Sequence, residues 1–280
     1  MLRSLKQTTT PLEAISVLEG IAANAYSRVT SGVSASSYRP RYANWAGDAE
    51  RELWSITSRP AAAAFFSSQR HFIVISQEHS DGSLVIAELN SICAELREAA
   101  ESIKRAQQWL GNGGGQPLVI DTNVILEYLP VDQIDWSQVT ESRARLIVPT
   151  RVLGELEAKR YDRSSRLDDV ARAQLPRIAE WLESSAGPGV YIGDKRGTTI
   201  ETVPIELEVE PLSDADTEIL EFFDMVLRFA PEARLVTSDG PLRVRAHLRG
   251  YSLARVPETF RRPKAISAST TLAAAELEAG

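Results

Sequence analysis

The chain has 280 residues, enough for one large domain or two ordinary ones. Its composition, 43% apolar and 25% charged, is typical of a folded protein and excludes wholesale disorder. The single cysteine excludes an internal disulfide and a Cys-cluster zinc site. The three histidines are too few and too scattered to predict a His-rich metal site. No run reaches the ~18 apolar residues of a membrane span and no signal peptide is recognisable, so we expect a cytoplasmic protein without membrane contact.

The net charge of −7 argues against a high-affinity, nonspecific nucleic-acid binder, because phosphate binding normally needs a basic face. Residues 1–116 carry 11 basic and 11 acidic side chains, whereas residues 117–262 carry 19 basic and 25 acidic ones. A divalent cation held by some of these acids would neutralise much of the local excess. The overall charge therefore neither establishes nor excludes a nucleic-acid substrate.

Residues 1–110 show the spacing of apolar residues by three and four that is typical of amphipathic helices. We predict helices in this region at residues 11–29, 45–56 and 83–110. The apolar run 72–75 fits either a short strand or the end of a helix that begins at Ala61. The glycine-rich segment 111–116 then predicts a flexible linker or a tight hinge.

From residue 117 to residue 262 the pattern changes to alternating strands and helices. We predict strands at 117–120, 145–148, 190–208 (one strand or a hairpin), 233–236 and 252–254. We predict helices at 151–160, 167–184, 214–229 and 240–249. This order predicts an α/β fold, a mostly parallel sheet flanked by helices, preceded by the mainly helical region 1–110. Residues 263–280 have the composition of a flexible tail.

Four acidic residues are predicted to meet at one edge of this sheet. Asp121 directly follows the first strand, and Asp239 closes the strand 235–238. Glu155 and Asp216 lie in the first turns of helices that follow Pro149 and Pro211. Because ligands of parallel sheets bind beyond the carboxyl ends of the strands, these carboxylates should surround one site.

Clustered carboxylates repel one another unless cations or protons intervene. Magnesium and manganese prefer oxygen ligands, so a site built from carboxylates alone points to Mg²⁺ or Mn²⁺. Such sites hydrolyse phosphodiesters by activating water. Asp214 is a further acid that either assists the metal or only complements the helix dipole. Asn123 and Thr237 are candidates for orienting the carboxylates, although a local turn role is equally compatible with the sequence.

Four motifs in this region resemble those of the PIN-domain family of metal-dependent nucleases. They are VIDTNVIL at 119–126, VPTRVLGEL at 148–156, DADTEIL at 214–220 and LVTSD at 235–239. The resemblance covers about residues 117–260 and implies a PIN-like fold with Asp121, Glu155, Asp216 and Asp239 as catalytic metal ligands. It also implies an endoribonuclease that cleaves single-stranded RNA with water as the nucleophile.

Basic residues near these motifs are candidates for substrate binding, and a solvated helix face is the alternative interpretation. They are Arg151, Lys159, Arg160 and Arg243. The helical region 1–110 resembles no family; we expect it to bind a protein partner, to form a homo-oligomer or to position the substrate.

Two other functions stay open beside the ribonuclease. One is a weak or inactive PIN scaffold that binds RNA or protein. The other is a DNA nuclease or another Mg²⁺-dependent phosphoryl hydrolase, although phosphatases with an aspartyl nucleophile usually carry a second Asp at the place of Asn123. Toxin, RNA-processing and defence roles are all compatible with the sequence.

Overall fold

The computed structural model describes residues 4–6, 8–76, 82–111, 113–161, 167–184, 189–193, 197–203 and 214–263. Within these ranges a six-stranded sheet is flanked by helices and preceded by a helical N-terminal region, which confirms the predicted fold class. The strand order is β3-β4-β2-β1-β5-β6, and every neighbouring pair is parallel except β3 and β4. No described helix is long and apolar enough to cross a membrane.

The strands of the sheet are short and largely buried. They are β1 (Gln116–Ile120), β2 (Ala144–Ile147), β3 (Val190–Tyr191), β4 (Thr199–Glu201), β5 (Arg234–Val236) and β6 (Leu253–Ala254). The predicted region 190–208 therefore begins as a hairpin of β3 and β4, and its part from residue 204 lies outside the described residues, as does the predicted tail from residue 264.

The helices of the N-terminal region are α1 (Pro11–Thr30), α2 (Tyr38–Ile56), α3 (Arg59–Ala64), α4 (Gln69–Ser76) and α5 (Gly82–Ala106), which ends in a π-helical turn over Gln107–Gly111. The apolar run 72–75 lies inside α4, so the strand alternative is wrong, and α4 is separate from α3. Helix α1 begins where predicted because Pro11 needs no amide partner there and the Thr10 hydroxyl accepts the Glu13 amide at 3.2 Å.

The helices of the C-terminal region are α6 (Thr122–Glu127), α7 (Thr150–Tyr161), α8 (Asp168–Glu183), α9 (Ala215–Phe229) and α10 (Gly240–Leu248). Four of them match predicted helices closely. Helix α6 was not predicted, and it begins directly after Asp121.

The sheet separates two hydrophobic clusters, because alternate residues of a strand point to opposite faces. In β1, Leu118 and Ile120 pack with α6, α7 and α8 on one face. Val119 packs on the other face, in a cluster that contains α9, α10 and the N-terminal helices. The helical region and the sheet therefore share one continuous apolar core.

The glycine-rich segment between the two regions is tied to the sheet by Arg145 of β2. The buried guanidinium donates to the carbonyl oxygens of Trp109, Leu110 (2.8 Å) and Gly113 (3.3 Å). It also forms a buried ion pair with Glu201 of β4. A methyl group on Gly113 would collide with this guanidinium, which explains a glycine at that position. The segment is a tight, anchored connection.

We predict that Glu201 makes the stability of the protein depend on pH. Burial raises the pKa of Glu201 from 4.5 to about 7, and the guanidinium of Arg145 opposes this rise. Because the folded protein then binds this proton more tightly than the unfolded chain, the stabilising contribution is complete below pH 4.5 and is lost as the pH rises through 7.

Urea unfolding in EDTA across this pH range should show the effect. The free energy of unfolding of the wild type should fall with pH, by at most about 1.4 kcal/mol per pH unit from this one group. Glu201→Gln should give a flatter profile, because the amide does not titrate. Parallel profiles for the two proteins would refute the prediction.

Candidate active site

Asp121 lies at the carboxyl end of β1 and occupies the N-cap position of α6. Its side chain is only 3% exposed. One carboxylate oxygen accepts a hydrogen bond of 2.8 Å from the Thr237 hydroxyl, and the carboxylate also accepts the backbone amide of Thr122. Asp121 is thus a buried, oriented carboxylate at the expected edge of the sheet.

Burial raises the pKa of Asp121 to about 6, although the hydrogen bonds from Thr237 and Thr122 oppose this shift. The nearby charges of Glu155 and Asp239 raise the pKa further. Both of these neighbouring charges are acidic. A buried carboxylate that faces two other carboxylates in this way is costly for the protein alone, and a bound cation would offset that cost.

Glu155 projects from α7, the helix that follows β2. The Thr122 hydroxyl donates to one of its oxygens, and Arg151 lies 3.4 Å from the other. Arg151 also lies 3.7 Å from Glu218 of α9. This arginine, which we predicted to bind substrate, therefore serves as a counter-ion between two acids.

Asp214 and Asp216 lie at the start of α9 and share one arginine of α10. Asp214 caps the helix by accepting the amide of Asp216 at 3.2 Å. Arg245 contacts Asp214 at 3.0 Å and Asp216 at 3.2 Å. Burial and the charge of Asp239 raise the pKa of Asp216, whereas the Thr217 hydroxyl and Arg245 lower the pKa of Asp214. The two acids therefore differ in environment, and Asp214 acts as a helix cap.

Asp239 caps α10, where it accepts the amide of Leu242 at 2.8 Å. The Asn123 side chain lies 3.5 Å from its other oxygen. The charge of Asp239 raises the pKa of both Asp121 and Asp216, so its carboxylate is close enough to interact with both of them. Asn123 and Thr237 each contact one carboxylate, which is the arrangement expected of orienting residues.

These side chains surround a cavity of about 320 Å³, which we call the acid cavity. It is lined by Asp121, Asn123, Glu155, Ala158, Lys159, Asp216 and Ile219. The structure therefore brings Asp121, Glu155 and Asp216 to one place, with Asp239 adjacent and Asp214 outside the lining.

The four predicted substrate-binding residues have different surroundings. Lys159 lines the acid cavity and is the basic residue best placed for a substrate phosphate. Arg160 contacts Glu157 at 3.1 Å and stacks on Tyr161. Arg243 lies in a neighbouring cavity instead. Of the predicted set, only Lys159 faces the acids without serving as their counter-ion.

The donor chemistry fits a hard divalent cation, since the acidic residues supply carboxylate oxygens around one cavity. Within the described part of the chain, no three Asp, Glu, His or Cys side chains form a group that could hold one ion. Two of the four acids, Glu155 and Asp216, contact arginines. Asp121 is the acid whose surroundings most require a cation.

Sequence reasoning missed three residues that organise the acids. They are Thr122, Glu218 and Arg245. Thr122 could have been suspected because it directly follows Asp121. Arg245 contacts acids that precede it by 29 and 31 residues, and no spacing rule connects positions so far apart.

The comparison with known families agrees with this geometry. Residues 118–254 match the PIN domain, and no curated protein matches the chain. The matched segment runs from β1 to β6 and contains all four acids. PIN domains are generally nucleases, and the family generally uses divalent metals. Residues 118–254 of this chain therefore belong to the PIN-domain family.

Proposed function

We propose that the protein is a Mg²⁺- or Mn²⁺-dependent endoribonuclease that hydrolyses phosphodiester bonds of single-stranded RNA. The observation that carries this proposal is the buried carboxylate of Asp121, which faces Glu155 and Asp239 at the carboxyl edge of the sheet. The PIN-domain match supports a nuclease, and the carboxylate donors support a hard cation.

A divalent cation bound among these carboxylates would supply Lewis acidity and an activated water molecule. The described residues that line the acid cavity include no Ser, Thr, Cys or His, and its carboxylates would be engaged as ligands of the cation, so water would be the nucleophile that attacks the phosphorus. Thr237 and Thr122 hold Asp121 and Glu155 in fixed orientations. Lys159 places positive charge in the same cavity, where it binds the substrate phosphate.

One observation favours a second candidate, a PIN scaffold that binds RNA without cutting it. Arg151 and Arg245 already compensate Glu155 and Asp216, so these two acids are stable without a metal. The metal dependence of cleavage separates the two candidates.

The experiment is cleavage of an end-labelled, mixed-sequence single-stranded RNA in Mn²⁺, in Mg²⁺ and in EDTA. The wild type should cleave the RNA at internal positions in either metal and should not cleave it in EDTA. Glu155→Gln should lower the rate by at least about 100-fold, because it removes one carboxylate of the site. Glu157→Gln is the matched control, two residues along the same helix and half-exposed, and it should stay within about two-fold of wild type.

Several results would contradict the endoribonuclease. Equal losses in Glu155→Gln and Glu157→Gln would indicate damage to α7. Equal cutting by all proteins would indicate a different site. Binding of RNA without cutting would support the scaffold, and cutting only of the DNA of the same sequence would support a DNA nuclease. The partner-binding or oligomerisation role of residues 1–110 stays a prediction that light scattering can test.

A further inference from the structure

A second cavity lies beside the acid cavity and has the opposite charge. It has a volume of about 270 Å³, and we call it the arginine cavity. Its lining includes Thr237, Ser238, Arg243, Arg255, Glu258 and Arg261. Three basic side chains and one acidic side chain therefore line the arginine cavity. Their net positive charge would attract an anion.

The sheet register places the arginine cavity close to Asp121. Ile120, Val236 and Ala254 pair across β1, β5 and β6. The residues that directly follow these three strand ends are Asp121, Thr237 and Arg255. Since parallel strands lie about 4.8 Å apart, Arg255 follows Asp121 along the edge of the sheet at about 10 Å.

Thr237 joins the two cavities directly. Its hydroxyl donates to Asp121 at 2.8 Å, and the residue also lines the arginine cavity. Asp239, two residues further on, donates its backbone amide to the same Thr237 hydroxyl at 3.0 Å, and the backbone amide of Arg243 donates to the Asp239 carbonyl at 3.1 Å. An extended ligand in the acid cavity can therefore continue past Thr237 into the arginine cavity.

Two of the three arginines that line the arginine cavity are available to a ligand. Arg261 is occupied by Glu127 at 2.7 Å and by Glu258 at 3.3 Å. Arg243 and Arg255 make no ion pair with any other residue that the structure describes. The hydroxyl oxygen of Ser238 is buried and has no hydrogen-bond partner among the described residues. A buried hydroxyl without a partner requires an explanation, and a ligand oxygen supplies one.

Another basic cavity, between α7 and α8, is a weaker candidate for binding an anion. It is lined by Arg160, Tyr161, Arg172 and Pro176. Arg160 is paired with Glu157 and Arg172 with Asp168, both at 3.1 Å. Because its arginines already have acidic partners, this cavity offers less to an anion than the arginine cavity does.

We propose that the arginine cavity is a phosphate-binding subsite, in which Arg243, Arg255 and the Ser238 hydroxyl hold a backbone phosphate of the RNA strand on one side of the scissile bond. This inference rests on the proposed function, because it takes single-stranded RNA as the ligand of the acid cavity. The positive charge of this subsite offsets the negative net charge of the chain at one edge of the sheet. An acidic protein can bind a polyanion along that edge for this reason.

The test is the binding of a fluorescein-labelled, mixed-sequence single-stranded RNA to the full chain in EDTA, measured by anisotropy at several salt concentrations. Arg243→Gln and Arg255→Gln should each weaken binding several-fold. Each should also make the slope of log K against log salt shallower by about 0.7, since one phosphate contact of a single strand is lost. The double variant should show both losses combined.

Arg234→Gln is the matched control. Arg234 is an exposed arginine at the start of β5, so it lies at the opposite edge of the sheet from Asp239. Its removal changes the net charge by the same amount and should leave the salt slope unchanged. Melting curves of all variants show whether each protein is folded.

The outcomes separate this proposal from the nuclease itself. If the wild type cuts RNA in Mn²⁺ but the double variant binds with the affinity and salt slope of Arg234→Gln, the subsite is refuted and the nuclease stands. If no cutting occurs but the double variant loses affinity and slope, the nuclease is refuted, and the arginine cavity stands only as a site for the RNA backbone on a non-cutting scaffold. A wild type that does not bind RNA in EDTA at low salt refutes the subsite.

Discussion

Asp121→Asn is expected to abolish metal-dependent RNA cleavage while it raises the melting temperature of the protein in EDTA. The activity should fall by at least about 100-fold, because a central carboxylate of the cation site is lost. The stability should rise, because asparagine has nearly the same shape but removes a buried charge that faces Glu155 and Asp239. Cleavage assays and thermal melts in EDTA measure the two effects.

The opposite signs of these effects distinguish a functional carboxylate from a structural one. Asp224→Asn is the matched control: Asp224 lies on α9 outside the lining of the acid cavity, 3.5 Å from Arg249. It should leave cleavage unchanged and give no rise in melting temperature. A fall in melting temperature for Asp121→Asn, together with the loss of activity, would mean that Asp121 supports the fold and would remove this argument for the site.

Arg145→Met is expected to lower the free energy of unfolding by about 3–5 kcal/mol. The substitution leaves the carboxyl group of Glu201 buried without its partner, so that this group must either carry an uncompensated charge or bind a proton, and it leaves the carbonyl oxygens of Leu110 and Gly113 without their donor. Urea unfolding of the full chain near pH 7 measures the change.

Arg143→Met is the control for this prediction. Arg143 is exposed and donates to the Gly114 carbonyl at 2.8 Å, so it also contacts the glycine segment but carries no buried charge. Its replacement should cost less than about 1.5 kcal/mol. If Arg145→Met does not fold, Arg145→Lys, which keeps the charge, provides the comparison. A loss for Arg145 no larger than that for Arg143 would contradict the account of the anchored connection.

The fold was largely predictable from the sequence because most of its elements carry a strong pattern. Helix α5 and strand β1 are examples, since one has a long three-four spacing and the other a short buried run. Helix α6 was missed because its six residues are too few for a helical period to be visible. The four motif acids were identifiable because each lies just after a predicted strand or in the first turns of a predicted helix.

What the sequence could not indicate were the partners that these residues acquire in three dimensions. Arg145 lies in an apolar run that correctly predicts a buried strand, but its partner Glu201 is 56 residues away. Arg245 is one of several arginines that follow Asp239 in the sequence. Only the packing of α10 near the start of α9 brings it to Asp214 and Asp216. Long-range pairings of this kind depend on the assembled fold.

The anchored connection at residues 109–115 has a consequence for dividing the chain into fragments. Composition favours a cut at the glycines, but such a cut would leave the guanidinium of Arg145 facing solvent where the carbonyl oxygens of Trp109 and Leu110 had been. It would also remove Leu110 from the apolar cluster that contains Phe229 of α9. The segment that matches the PIN domain, residues 118–254, is therefore smaller than the unit that can shield its own interior from water.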